Sequence, residues 1–130
     1  MDQNNILGNT TASQTGGSNK LLQNVSIIDK RELYRSYMPF IKHGGLFIPF
    51  NENITPQKIS LGQNIFIILT LMDSTKKHPI PGKVVWIQRS GLVKGFGFSF
   101  GDTSPARILK EHIETLILDL TLKKETTYTL

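Results

Sequence analysis

The sequence predicts a mainly β chain: a small antiparallel barrel with one α-helix laid against it near the C-terminus. Three observations predict it. Short β-branched and aromatic runs recur at close spacing between Val25 and Phe100, punctuated by Gly, Pro and Asp. One of them, Gly95 to Phe100, alternates cleanly, with Phe96, Phe98 and Phe100 on one side and Gly95, Gly97 and Ser99 on the other. Beyond it, Leu109, Ile113, Leu116, Ile117 and Leu120 recur at helical spacing and form one apolar stripe.

Residues 1–20 are mostly Asn, Gln, Thr, Ser and Gly. They hold too little apolar surface to offset the entropy of ordering, so a disordered tail is expected there. The folded domain is expected over residues 21–123, followed by a short tail, 124–130. Val25 to Ile28 reads as an edge strand, and Asp29 to Glu32 as a turn. Leu33 to Met38 stays open between helix and strand. Leu33, Tyr34 and Tyr37 would share a helical face, but aromatics also favour strands, and Pro39 discourages helix at Met38. His43-Gly44-Gly45 reads as a turn, and Leu46 to Ile48 as a strand stopped by Pro49.

Asn51 to Ser60 reads as a polar surface connection. Ile65 to Met72 is apolar throughout and is expected to be a strand covered on both faces. Asp73 to His78 reads as a turn closed by Pro79 and Pro81. Gly82 to Gln88 is the next strand, with Val84 and Trp86 pointing one way and Val85 and Ile87 the other. Gly95 and Gly97, facing one side, leave room for a ring or a backbone to approach. Ser104 is the expected N-cap of the helix, with Pro105 at its first position, and the helix is expected over 104–122. Lys110, Glu111, Glu114 and Lys123 are assigned to its solvent face. Ile108, His112 and Leu118 lie off the centre of the apolar stripe, where a second protein could meet them.

Composition narrows the function. A chain of 130 residues is one domain by length. It has no cysteine, hence no disulfide framework and no thiolate chemistry. No apolar run approaches the roughly 20 residues that span a bilayer, so no membrane insertion and a cytosolic address are expected. The formal charge is +5, but the bases come as pairs (Lys30-Arg31, Lys76-Lys77, Lys123-Lys124) rather than runs. Solvated surface charge is the simplest reading of them. No phosphate-binding glycine loop is present. His43, His78 and His112 sit in three separate elements without metal-ligand spacing. Glu111 and Glu114 are the only neighbouring acids, and no nucleophile, base and orienter come together. Neither an enzyme nor a cofactor is expected.

The most informative stretch is Leu33 to Phe50, LYRSYMPFIKHGGLFIPF, with two tyrosines and three of the seven phenylalanines. Together with LGQNIFIILTLMD, IPGKVVWI and GFGFSF, in that order and spacing, it resembles the PilZ domain family, and more closely the stand-alone members of type IV pilus assembly. The resemblance covers about residues 26–130. It implies a six-stranded antiparallel β-barrel with the C-terminal helix, in agreement with the strands read above. Many PilZ domains bind cyclic di-GMP through an RxxxR segment and a [D/N]xSxxG motif. Here Gly45 matches the last glycine of that motif, but Phe40 stands at the Asp/Asn position and Lys42 at the Ser position. Arg31 and Arg35 spell RxxxR, closer to Phe40 than in dinucleotide binders.

The pilus-assembly subgroup shows the same departure. The resemblance therefore implies an adaptor for twitching motility that does not itself bind cyclic di-GMP. Its implied partners are the pilus-extension ATPase (PilB type) and an EAL-domain cyclic di-GMP receptor (FimX type). Candidate contacts are Tyr34 and Tyr37 as rigid aromatic anchors, Phe40 and Phe47 with the strand edge around them, Trp86, and Tyr128 with Leu130 in the tail. Each has a packing alternative: the tyrosines and Trp86 can lie on the barrel, Phe47 can be core, and the tail can be idle. Two other functions stay open. One is a direct cyclic di-GMP receptor using Arg31 and Arg35. The other is a small basic barrel that binds single-stranded nucleic acid through Phe96, Phe98 and Trp86.

Overall fold

The structure is a computed structural model and describes residues 21–72, 74–124 and 126–128. In chain order the elements are β1 (Leu21–Ile27), α1 (Lys30–Ser36), β2 (Gly45–Pro49), a short 3-10 turn (Pro56–Lys58), β3 (Asn64–Leu71), β4 (Lys77–Gln88), β5 (Gly95–Phe100), α2 (Ser104–Leu116) and α3 (Leu118–Leu122). The strands make one curled sheet, a half-barrel, in the order β1-β3-β4-β5-β2.

This corrects the six-stranded antiparallel expectation in two ways. Five strands are present among the described residues, and β1 runs parallel to β3, from Leu21↔Ile65 to Ile27↔Leu71. The remaining pairs are antiparallel. A parallel pair needs a crossover that returns the chain to the starting end. Here α1, β2 and the 3-10 turn all lie between β1 and β3, which supplies it.

The open stretch before Pro39 resolves as helix. Asp29 caps α1, its carboxylate accepting from the backbone N–H of Arg31 at 2.9 Å, so the charged segment read as a turn is the first helical turn. Tyr37 already has extended backbone and pairs with Leu46 across an isolated bridge. β4 begins five residues earlier than expected, at Lys77, and carries Pro79 and Pro81 inside it. The prolines are tolerated because β5 pairs with β4 only from Gly82 onward, which leaves that part of β4 with β3 alone as a neighbour.

Further along β4 the register jumps between Val84 and Trp86, a bulge at Val85. The bulge overturns the simple alternation: Val84 and Ile87 face the core, while Val85 is exposed. The terminal helix is likewise split at Ile117. Its cap is Thr103 rather than Ser104, the Thr103 hydroxyl accepting from the Ala106 N–H at 3.2 Å.

The inner face of the sheet is one continuous core. Leu46 and Ile48 of β2, alternate residues of β3 from Ile65 to Leu71, Ile80 and Val84 of β4, and Phe96, Phe98 and Phe100 of β5 are all buried in it. Leu33 and Tyr37 enter from α1 and its exit, and the stripe Leu109, Ile113 and Ile117 enters from α2. Two residues of the supposed surface connection, Ile54 and Ile59, are also buried here. The outer side of β3 is less covered: Phe66, Ile68 and Thr70 are half-buried.

Candidate partner-binding site

The outer face of the sheet carries a line of rings. β5 places Gly97 opposite Trp86 of β4, and a Cβ on Gly97 would lie 2.7 Å from the indole Cε3. Glycine is therefore required for the indole to lie flat on the strand. At Gly95 an added Cβ would first meet the backbone of β2, at the Ile48 carbonyl oxygen and Pro49 Cα, and then Phe47 Cζ at 2.9 Å. The room left by Gly97 is thus filled by a ring, and that left by Gly95 by backbone and a ring. Trp86 is stacked by Phe40 at 6.3 Å and 18° and meets Phe47 at 6.5 Å. Phe47 in turn meets Tyr128 at 5.8 Å.

Exposure is graded along this line. Phe47 is buried, Trp86 and Tyr128 are half-buried, and Phe40 at the end is 55% exposed.

Tyr128 is held in place rather than idle. Its backbone N–H donates to the Arg35 carbonyl at 3.0 Å, and its hydroxyl donates to the Glu32 carboxylate at 2.7 Å. Burial, with that bond to Glu32, pushes the phenol above its ordinary range, and Arg35 opposes the shift. Arg35 also faces Glu32 at 3.6 Å. The RxxxR segment is therefore part of a capped helix whose charged face is tied to the C-terminal tail.

The two tyrosines of the opening stretch lie elsewhere. Tyr37 is 2% exposed, and its hydroxyl donates to Glu114 at 2.6 Å. Lys110 donates to the same carboxylate oxygen at 2.8 Å. Burial first, then Glu114, pushes the Tyr37 phenol far up. The Lys110 bond first, then Tyr37, holds the Glu114 carboxyl below its ordinary range against a weaker opposing effect of burial.

Tyr34, Pro39, Leu118 and Thr127 line a mostly apolar groove of about 420 Å³ beside this network. The Thr127 hydroxyl oxygen is buried there without a hydrogen-bond partner among the described residues. The tail joins both features, with Thr127 in the groove and Tyr128 on Phe47.

Of the sequence candidates, Phe40, Phe47, Trp86 and Tyr128 are thus brought together on one face, and Tyr34 and Tyr37 border the groove. Leu130 lies outside the described residues. Phe96 and Phe98, the stacking candidates for nucleic acid, are sealed on the inner face. Sequence reasoning missed Glu114, whose only signal was its placement four residues after Lys110. It also missed that His78 of β4 and His112 of α2 become ring neighbours at 5.9 Å. Burial, then Lys76 and His112, holds the His78 imidazole below its ordinary range. Among the described residues no three metal-ligating side chains cluster.

The PilZ domain profile matches residues 20–119, most of the chain. The chain belongs to the PilZ domain family. No curated protein matches it at significance. PilZ domains bind ligands or partner proteins and are not catalysts. The position of the family's ligand motif now has a geometry in this chain. Gly45, its last residue, opens β2 where a Cβ would meet the Phe98 carbonyl oxygen at 2.6 Å, so this glycine serves strand packing. Phe40, which the sequence comparison set at the Asp/Asn position, is stacked on Trp86, and Lys42, set at the Ser position, is exposed.

Proposed function

We propose that this PilZ domain is a non-enzymatic adaptor in type IV pilus assembly and twitching motility. In this reading it links an EAL-domain cyclic di-GMP receptor of the FimX type to the pilus-extension ATPase of the PilB type, and does not bind the dinucleotide itself. The observation that carries the reading is the Phe40–Trp86 stack. A carboxylate or amide at position 40 would offer a guanine a hydrogen bond. A phenyl ring lying on an indole, more than half exposed, offers a partner an apolar anchor with little entropy left to lose. Arg31 and Arg35 support the same conclusion. They stand on a capped helix, with Arg35 facing Glu32, not on a segment able to wrap a ligand.

The test is calorimetry and pull-down on one preparation. Titration with cyclic di-GMP is expected to give no heat, while the EAL protein and the ATPase are each retained. Loss of either partner in Phe40→Ala, with the fold intact by circular dichroism, assigns that partner to the stack. Micromolar dinucleotide binding that disappears in the Arg31→Ala, Arg35→Ala double variant would overturn the reading in favour of a direct receptor.

A further inference from the structure

The net charge of the chain is not evenly spread. Between Ile54 and Gly101 there are six bases, Lys58, Lys76, Lys77, Lys83, Arg89 and Lys94, against Asp73 alone, while the rest of the chain holds nine of each sign. The whole excess therefore belongs to the β3–β5 sheet and its connections.

Four of these bases belong to one end of the sheet, where β3 starts and β4 ends. Lys58 precedes β3, Lys83 pairs opposite its first residue, and Arg89 and Lys94 bracket the β4–β5 turn. All four are exposed, and among the described residues Lys83, Arg89 and Lys94 have no ion pair. The loop after β2, which carries the exposed Glu52, meets this end where the Phe50 N–H donates to the Lys94 carbonyl at 2.9 Å.

The same end presents aliphatic side chains to solvent. Leu92 sits at the tip of the β4–β5 turn after Gly91, which has φ +101°, and is fully exposed at 106%. Leu61 is 68% exposed on the turn before β3. Reciprocal bonds hold that turn against β4, Gly62 N–H to the Val84 carbonyl and Val84 N–H to the Gln63 carbonyl, both 2.9 Å. Val85, pushed outward by the bulge, lies beside it.

We infer that this end of the sheet docks on an anionic phospholipid surface, with Leu61 and Leu92 entering the headgroup layer and the four bases over its phosphates. Three occupants would satisfy the charge, and the shape separates them. Single-stranded nucleic acid needs exposed ring faces on which bases stack, whereas the groups protruding here are aliphatic. A protein partner is anchored mainly by aromatic and arginine side chains in well-packed pockets, with leucine under-represented. Two leucines on separate turns fit no such pocket but suit a deformable layer. An anionic leaflet attracts clustered bases within a Debye length, and the buried aliphatic carbons add to that attraction. None of the residues varied in its test belongs to the Phe40–Trp86 stack, so the test and the adaptor reading fail independently.

The experiment is co-sedimentation of the full chain with vesicles of phosphatidylcholine alone, or mixed with phosphatidylglycerol, at low and high salt. Pelleting is expected only with phosphatidylglycerol, and it falls as salt rises. Arg89→Gln and Lys94→Gln should each weaken binding about fivefold. Leu92→Asp, an exposed change that leaves the circular dichroism spectrum intact, should abolish it, and Leu92→Ser should weaken it with the charge unaltered. No pelleting with phosphatidylglycerol at low salt overturns the inference. So does a Leu92→Asp variant that pellets like wild type. Binding to a single-stranded oligonucleotide that survives Leu92→Asp, with no vesicle binding, would give the charge to nucleic acid instead.

Discussion

The two faces of the sheet use the same strands and the same residue types to different ends. On the inner face, Phe96, Phe98 and Phe100 are sealed beneath α1 and α2, and every ring is enclosed. On the outer face, Phe47 is as buried as they are, with Glu32 and Ser36 of α1 lining the same cavity. Its cover is Trp86 on one side and Tyr128 on the other, and Phe40 closes the line half in water. Inner packing depends on secondary structure laid over the sheet, whereas outer packing depends on single rings handed from one to the next. A core built the first way tolerates no vacancy. A surface built the second way can lose or exchange its last ring at small cost, as a binding surface must.

Truncating one ring on each face separates the two kinds of packing. Phe98→Ala removes a ring enclosed by Phe100 and Gly82 and should cost about 3–5 kcal/mol in urea unfolding. Gly97→Ala leaves the core alone but pushes a methyl group into the Trp86 ring. Because the contact is with a ring face and not with a flexible chain end, the indole must lift, at about 1–3 kcal/mol. Tryptophan emission should shift red as the ring enters water. An unchanged spectrum would mean that Trp86 does not lie on β5.

Much of this contrast was legible in the chain, and the part that was not has a local cause. The Phe96-Gly97-Phe98 alternation assigned one face to core and left the other open for a ring, because a strand's period of two is insensitive to the rest of the fold. Trp86 was harder to assign. The bulge at Val85 shifts the alternation by one, and nothing in Val84-Val85-Trp86 announces it. The all-antiparallel expectation failed for a related reason: β1 reads as an edge strand in either direction, and only the crossover decides that it is parallel.

The candidate site was half legible. Aromatic residues in a broken stretch pointed to Phe40, but its stacking partner lies 46 positions away in sequence. Tyr128 was a candidate from the sequence, but its anchoring was not readable, because Glu32 and the Arg35 carbonyl lie more than ninety positions away.

Between the faces, Tyr37 tests whether the helix side belongs to the sealed region. Its phenol is raised above the ordinary 10.0, so its contribution to stability is complete below that value and is lost as pH rises above it. The Glu114 carboxyl is held below the ordinary 4.5, so its contribution is complete above that value and is lost as pH falls through the depressed one. Both are therefore intact between the two. Tyr37→Phe should cost about 1–2 kcal/mol at neutral pH. It should also remove part of the alkaline decline in the urea midpoint. The acid decline should persist through Lys110, but weakly, since the Glu114 side chain is 43% exposed and its ion pair is screened. An alkaline slope identical to wild type would show that the hydroxyl is hydrated rather than enclosed.

Phe40→Ala should have the smallest effect on stability and decides the most. The ring loses one stacked neighbour and little enclosed area, so about 1 kcal/mol or less is at stake. Trp86 would keep Phe47 on its other side and stay on β5, with a modest red shift as its outer face is wetted. A cost matching that of Phe98→Ala would mean that the outer rings are a second core and that their exposure is incidental. A small cost together with loss of partner binding would mean that the exposed ring is retained for recognition. The two outcomes are distinguished in one preparation, by a urea titration run beside a pull-down. The stability measurement is what gives the binding result meaning, because only a ring the fold can spare is available to a partner.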